Sequence, residues 1–138
     1  MNIGNKFEQY IGNLIKRLGG KEVSLNNRYK INNNGTFLYC EIDIQHNHKG
    51  LLQYIECKYR SNEKVSSEEV SKFVDILKLM QAMPNKQGVM ASNTDFNARA
   101  KSIALGHGIA LYNGNDLLEL ENSTRSRKNK LKSIEECF

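Results

Sequence analysis

The chain has 138 residues, 39% of them hydrophobic, and carries 20 Lys+Arg against 15 Asp+Glu for a formal charge of +5. That is the length of one compact domain with apolar material enough for a core, which excludes wholesale disorder. The apolar runs are only a few residues long, so no membrane-spanning helix or signal-peptide core is expected and no membrane partner, while three widely spaced cysteines, Cys40, Cys57 and Cys137, make no disulfide framework and fit a reducing cytoplasm.

Phe7, Ile11, Leu14, Ile15 and Leu18 recur at helical spacing, and Gly19-Gly20 closes that pattern. A weaker strand is expected around 22–31. Leu38, Cys40, Ile42 and Ile44 alternate with Tyr39, Glu41 and Asp43, which is strand periodicity. A turn at Asn47, Lys49 and Gly50 leads to a second alternation over 51–58, the expected hairpin partner of the first. Ser66 with Glu69 reads as a capping box opening a helix through Val70, Phe73, Val74, Leu77 and Met80, stopped before Pro84. Gly88–Ala91 is a short buried strand. Thr94 or Asp95 caps a helix through Ala98, Ile103 and Ala104, closed by Gly106 and Gly108. Ile109–Tyr112 is another strand, and Asn115 caps a last helix with Leu117, Leu118 and Leu120. The order predicts an α/β fold: a mixed central sheet flanked by helices, antiparallel early and with crossovers late.

Charge is unevenly spread. Residues 1–121 hold 15 basic and 13 acidic side chains, whereas the last 17 residues hold Arg125, Arg127, Lys128, Lys130 and Lys132 against Glu135 and Glu136. The expected organisation is a folded domain over 1–121 and a basic tail over 122–138, which either grips a phosphate backbone or is merely solvated.

The stretch richest in chemistry is Glu41-Ile-Asp43 followed by Glu56-Cys-Lys58. Residues two apart on a strand share a face, so Glu56 lies beside Lys58 and Glu41 beside Asp43. Pairing the strands across the turn brings two or three carboxylates and an ammonium to one end of the sheet. Hard divalent cations such as Mg²⁺ take oxygen ligands of this kind together with substrate phosphate oxygens, and a neighbouring lysine can orient a water. The set suits metal-assisted phosphodiester hydrolysis. It also suits an ordinary half-exposed strand with weak ion pairs, and spacing alone leaves both readings open. His46, His48 and His107 with Cys40 and Cys57 make a poor zinc set, because the cysteines are expected inward and the histidines at a turn. Arg60, Lys64, Lys49 and Arg28 are candidate contacts along a DNA path or ordinary surface charges.

Asp43 and, after a hairpin-sized gap, Glu56-Cys57-Lys58 resemble the PD-(D/E)xK nuclease signature, and more closely the Mrr-type restriction endonuclease domain. The likeness extends to Gly4-Asn5-Lys6-Phe7-Glu8 leading to Leu18-Gly19, to 65–77, to 88–94, 98–104 and 108–112, and to Asp116-Leu117-Leu118, covering roughly 3–121 in order and spacing. It implies a restriction-endonuclease-like core and a Mg²⁺-dependent endodeoxyribonuclease, with Mn²⁺ as a substitute metal. Asp43 and Glu56 would be metal ligands, the Cys57 carbonyl would complete the shell, and Lys58 would assist the attacking water. Glu8 corresponds to an opening-helix glutamate near the metals, with Gly12 one turn on leaving room beside it; it also suits a helix start electrostatically. Glu41 stands where many members are glycine-rich and acidic, and either replaces a lost ligand or pairs with Lys58. DNA is the implied partner, for which Arg60, Lys64, Arg125, Arg127, Lys128 and Lys130 are candidate contacts or plain solvated charges, and cutting both strands suggests a homodimer. A Holliday-junction resolvase of the same superfamily and a non-catalytic DNA-binding module are the alternatives.

Overall fold

A computed structural model describes the backbone of residues 2–80 and 86–137 and the side chains of residues 2–80 and 87–125. The chain runs α1 (Ile3–Arg17), β1 (Lys21–Asn33), β2 (Thr36–His48), β3 (Leu51–Lys58), α2 (Ser67–Leu79), β4 (Lys86–Ser92), α3 (Ala98–Gly106), β5 (Ala110–Tyr112) and α4 (Gly114–Cys137). This is the expected order of helices and strands. The sheet order is β1-β2-β3-β4-β5, antiparallel across the first two pairs and parallel across the last two.

Two tight turns set the antiparallel half. Asn34-Gly35 and Lys49-Gly50 each have positive φ at both residues, the two-residue hairpin geometry whose twist matches that of the strands. The parallel half needs crossovers, which α2 and α3 supply.

The helices sandwich the sheet. Along β3, Tyr54 enters one apolar core and Ile55 the other, as strand alternation requires. The first core takes Val70, Phe73, Val74 and Leu77 from α2 with Ala100 and Ala104 from α3. The second takes Phe7, Ile11, Leu14 and Ile15 from α1 with Leu117 from α4. Each helix thus buries one stripe, which provides most of its stability in context.

The caps differ in places from those the sequence suggests. Ser66 and Glu69 form the expected capping box. The α3 cap is Asn97, whose Oδ1 accepts from Ala100 N–H at 2.8 Å, and not Thr94 or Asp95. Asp95 is engaged elsewhere: its carbonyl accepts from Val65 N–H and its Oδ1 from Phe96 N–H. The α4 cap is Asn113, exchanging reciprocal 2.9 Å bonds with Asp116, ahead of the expected Asn115. Helix α4 continues without a break across the boundary expected at 121/122. The stop expected before Pro84 lies outside the described residues; α2 is capped by Met80.

Among the described residues no helix is long and apolar enough to cross a membrane. A Cβ on Gly12 would meet Leu25 Cδ2 at 3.2 Å, so its smallness serves the packing of α1 on β1. Gly114 packs directly against the backbone oxygen of Asn93, and its N–H donates to Thr94 O at 3.0 Å. Gly114→Ala is expected to destabilise the fold by about 1–3 kcal/mol through overpacking against backbone, read as a lower denaturant midpoint with unchanged slope.

Candidate active site

The site forms where β2 and β3 stop pairing. Their ladder runs from His48↔Leu51 to Ile44↔Ile55. Past that point β2 continues along β1, and β3 along β4 through Glu56↔Met90, Cys57↔Ala91 and Lys58↔Ser92. Diverging strands leave backbone groups that need partners. Here the Cys57 N–H donates to Asp43 Oδ2 at 2.8 Å, so a side-chain carboxylate stands in for the missing strand.

The β1–β2 pairing misses one step at the same level. The register passes from Leu25↔Ile44 to Asn27↔Ile42 and skips Asn26, the residue facing Asp43, which has φ 54. Asparagine tolerates that conformation better than most residues. Asn27 mends the break: its amide donates to Ser24 O at 2.9 Å, and its Oδ1 accepts from the Ser24 hydroxyl at 2.5 Å. Ile42 and Ile44 then enter different cores although two residues apart, so β2 rolls over at Asp43.

Helix α1 brings the next carboxylate. The Phe7 ring stands edge-on to Tyr59 at 5.8 Å, locking the start of α1 against the residue that follows Lys58. Glu8 is therefore held beside the fork. Burial, then the charges of Asp43 and Glu41 and a hydrogen bond with Asp43, push its carboxyl up to about 7. Burial likewise pushes Glu56 well above the carboxylate range, with Asp43 adding to it and Lys58 opposing it. Lys58 Nζ lies 3.6 Å from Glu56 Oε2, as expected for residues two apart on one strand face.

Glu8, Glu41, Asp43, Glu56 and Lys58 thus act on one another in one place. The mutual repulsion of the acids is what a bound cation would relieve. Among the described residues no three His, Cys, Asp or Glu side chains form a ready-made metal cage. Mg²⁺ does not require one, since it binds through one or two carboxylates plus water and substrate phosphate. The donors offered, carboxylate oxygens, are hard oxygens that fit such an ion.

Other candidates fall elsewhere. Burial and the nearby acids push the Cys57 thiol far up, which denies it a thiolate. Cys40 is buried and free. His46 and His48 sit at the opposite end of the β2–β3 ladder, with ring centroids 6.4 Å apart, and His107 is exposed beyond α3. Arg60 is committed to the scaffold: its guanidinium pairs with Glu69, and its backbone exchanges two hydrogen bonds with the Asn93 side chain. Lys64 is exposed in the loop before Val65. Arg125 reaches Glu121 at 3.3 Å on α4 and is largely exposed. The side chains of Arg127, Lys128 and Lys130 lie outside the described ones. A cavity of about 230 Å³ under α1 and α4 is lined mainly by apolar side chains such as Leu14, Ile55 and Leu117 and by none of these carboxylates.

Residue patterns alone did not single out Phe7, Tyr59, Asn26 or Asn27 as shaping the site. The Asn26-Asn27 doublet was the available signal, since asparagine pairs mark breaks in regular backbone.

A five-stranded mixed sheet sandwiched by helices is a fold of the restriction-endonuclease type. More narrowly, the family model for the Mrr_cat restriction endonuclease domain matches residues 2–120, and the chain belongs to that family. Among solved structures it is similar to AF1548, a protein of unknown function (22% identity, TM-score 0.74, covering 88% of this chain and 67% of that one). It is also similar to VC1899 from Vibrio cholerae (18%, TM-score 0.70, 91% and 34%) and to the DNA modification-dependent restriction endonuclease AspBHI (17%, TM-score 0.57, 96% and 36%). The chain spans only about a third of the length of these two proteins. No curated protein matches it.

The raised Glu8 carboxyl has a consequence for stability. A folded-state value above the unfolded one favours folding at low pH, and that contribution is lost as pH rises from about 4.5 through about 7. Metal-free protein is therefore expected to melt at a lower temperature at pH 8 than at pH 5.5. Glu8→Gln should shrink that difference and raise the metal-free Tm at pH 8, as measured by calorimetry in EDTA.

Proposed function

We propose that the protein is a metal-dependent endodeoxyribonuclease of the Mrr-like restriction type, using Mg²⁺ or in its place Mn²⁺, and working as a homodimer. The observation that carries this reading is the convergence of Glu8, Asp43, Glu56 and Lys58 at one strand fork. AspBHI, described as a DNA modification-dependent restriction endonuclease, supports DNA as the substrate.

Asp43, Glu56 and the Cys57 carbonyl would hold the cation, with Glu8 and Glu41 at its margin. When bound, it would lower the pKa of a coordinated water and offset charge on the scissile phosphate. The chain's own contribution is positional. The Cys57 N–H fixes the Asp43 carboxylate through Oδ2. Lys58, tethered to Glu56, offers Nζ to the attacking water and to negative charge growing on the phosphate. Glu8, set by Phe7 against Tyr59, orients water or a second cation. Lys64, Arg125, Arg127, Lys128 and Lys130 are proposed phosphate contacts, with Arg60 acting through its pairing to Glu69. Each domain holds one such site, so two copies would cut two strands.

Purified protein with Mg²⁺ or Mn²⁺ is expected to cleave plasmid DNA and to lose this activity in EDTA. Asp43→Asn keeps an acceptor for the Cys57 amide but should remove cleavage, and Lys58→Ala should slow it by roughly 10²–10⁴-fold. Light scattering should give twice 15.8 kDa. Failure of wild type to cut plasmid or four-way-junction DNA with either metal defeats the enzyme reading, and preference for the junction would reassign it as a resolvase.

A further inference from the structure

The β1–β2 ribbon does not end where the central sheet ends. Residues 36–42 of β2 are paired to β1 and lie beyond the last β2–β3 pair, Ile44↔Ile55. The ribbon therefore leaves the body at Asp43 and extends to the Asn34-Gly35 turn. At about 3.4 Å per residue, the six steps from Asp43 to Phe37 reach roughly 20 Å.

Its two faces differ. Tyr29, Cys40 and Ile42 turn inward, with Tyr29 and Ile42 joining the core under α2 and α3. The Tyr29 hydroxyl also donates to Gln45, bracing the ribbon to the sheet. The opposite face presents Arg28, Lys30, Phe37, Tyr39 and Glu41, with Arg28 opposite Glu41 and Lys30 opposite Tyr39. Phe37 is 53% exposed and Tyr39 74% exposed, an unusual placement for large rings on a ribbon that could have turned them inward. Lys30 Nζ sits 4.2 Å from the centre of the Phe37 ring, which holds both side chains in place. This face is continuous with the acidic cluster, because Glu41 at its base acts electrostatically on Glu8.

We propose that this outer ribbon face is a DNA-binding arm that grips duplex to one side of the cut, with Arg28 and Lys30 on phosphates and Phe37 and Tyr39 against the groove. The inference rests on the nuclease reading, since a duplex that places a phosphate at Asp43 must lie next to a ribbon that departs from Asp43. A two-stranded ribbon matches the width of a major groove. The paired cations suit the backbone, and apolar rings suit base edges and thymine methyls. At 3.4 Å per base step, the arm's reach spans on the order of six base pairs.

The test uses the full chain, a 40-base-pair duplex, and anisotropy titrations at several salt concentrations. Arg28→Ala with Lys30→Ala should weaken binding by about 10-fold or more and make the log–log salt slope shallower by about 2, one for each phosphate left without its cation. Phe37→Ala with Tyr39→Ala should weaken binding comparably while leaving the slope unchanged, because rings release no counterions. Trimming the duplex to within about three base pairs of the cut on one side should weaken wild type and not the variants. All four side chains lie on the outer face, so thermal unfolding serves as the control for folding. Unchanged affinity and slope in both double variants overturns the arm while leaving the nuclease reading intact. Conversion of a dimer to monomer with undiminished DNA affinity per protomer also overturns it, assigning the face to a second copy. Wild type that neither binds nor cuts DNA defeats the nuclease reading and the arm with it.

Discussion

The hydrogen bond from the Cys57 amide to the Asp43 carboxylate is the constraint around which this domain is arranged. A sheet cannot separate neighbouring strands without stranding backbone donors, and an unpaired buried N–H costs about 1–3 kcal/mol. By taking a side-chain oxygen as acceptor, the domain opens its sheet at one point and places a carboxylate there in a defined orientation. The bond therefore supports both the fold and the candidate chemistry. It also makes Asp43 a residue whose loss reaches beyond ligation, which is why an isosteric amide is the informative replacement.

Around that bond the molecule gathers negative charge that it does not neutralise. The charge of Asp43 disfavours the ionisation of both Glu8 and Glu56, and Lys58 opposes this at Glu56. Holding like charges together in this way costs stability, a pattern common at functional sites. The sandwich of two apolar cores supplies the rigidity that keeps the acids close. Phe7 against Tyr59 is the local clamp, an aromatic contact whose role is to fix a glutamate one residue away.

The same opening explains the ribbon. Because β2 leaves β3 at Asp43, its remaining length has only β1 as partner, and one face of that pair is free of any core. Positive φ at Asn26 and the Ser24–Asn27 hydrogen bonds let the strand pair roll at this point without unravelling. Phe37 and Tyr39 on β2 and Arg28 and Lys30 on β1 then extend outward from the carboxylates along the free face. The formal charge of +5 said little about where a polyanion would lie; the placement of two cations and two rings says more.

The sequence by itself determined the order of helices and strands, the hairpin turn at Lys49-Gly50, the capping box at Ser66, and the shared strand face of Glu56 and Lys58. These are local matters, governed by periodicities of 3.6 and 2 residues and by turn chemistry within a few positions. Resemblance of ordered motifs was enough to reach the family. Only the tertiary structure decided that β2 and β3 diverge at Asp43, that Glu8 is carried to the fork by Phe7 on Tyr59, that Arg60 serves Glu69 and Asn93, that Asn97 and Asn113 take the helix caps, and that Gly12 makes room for β1. Each depends on contacts between residues far apart in the chain, or on competition among neighbouring caps that tertiary hydrogen bonds settle, and no local pattern encodes either.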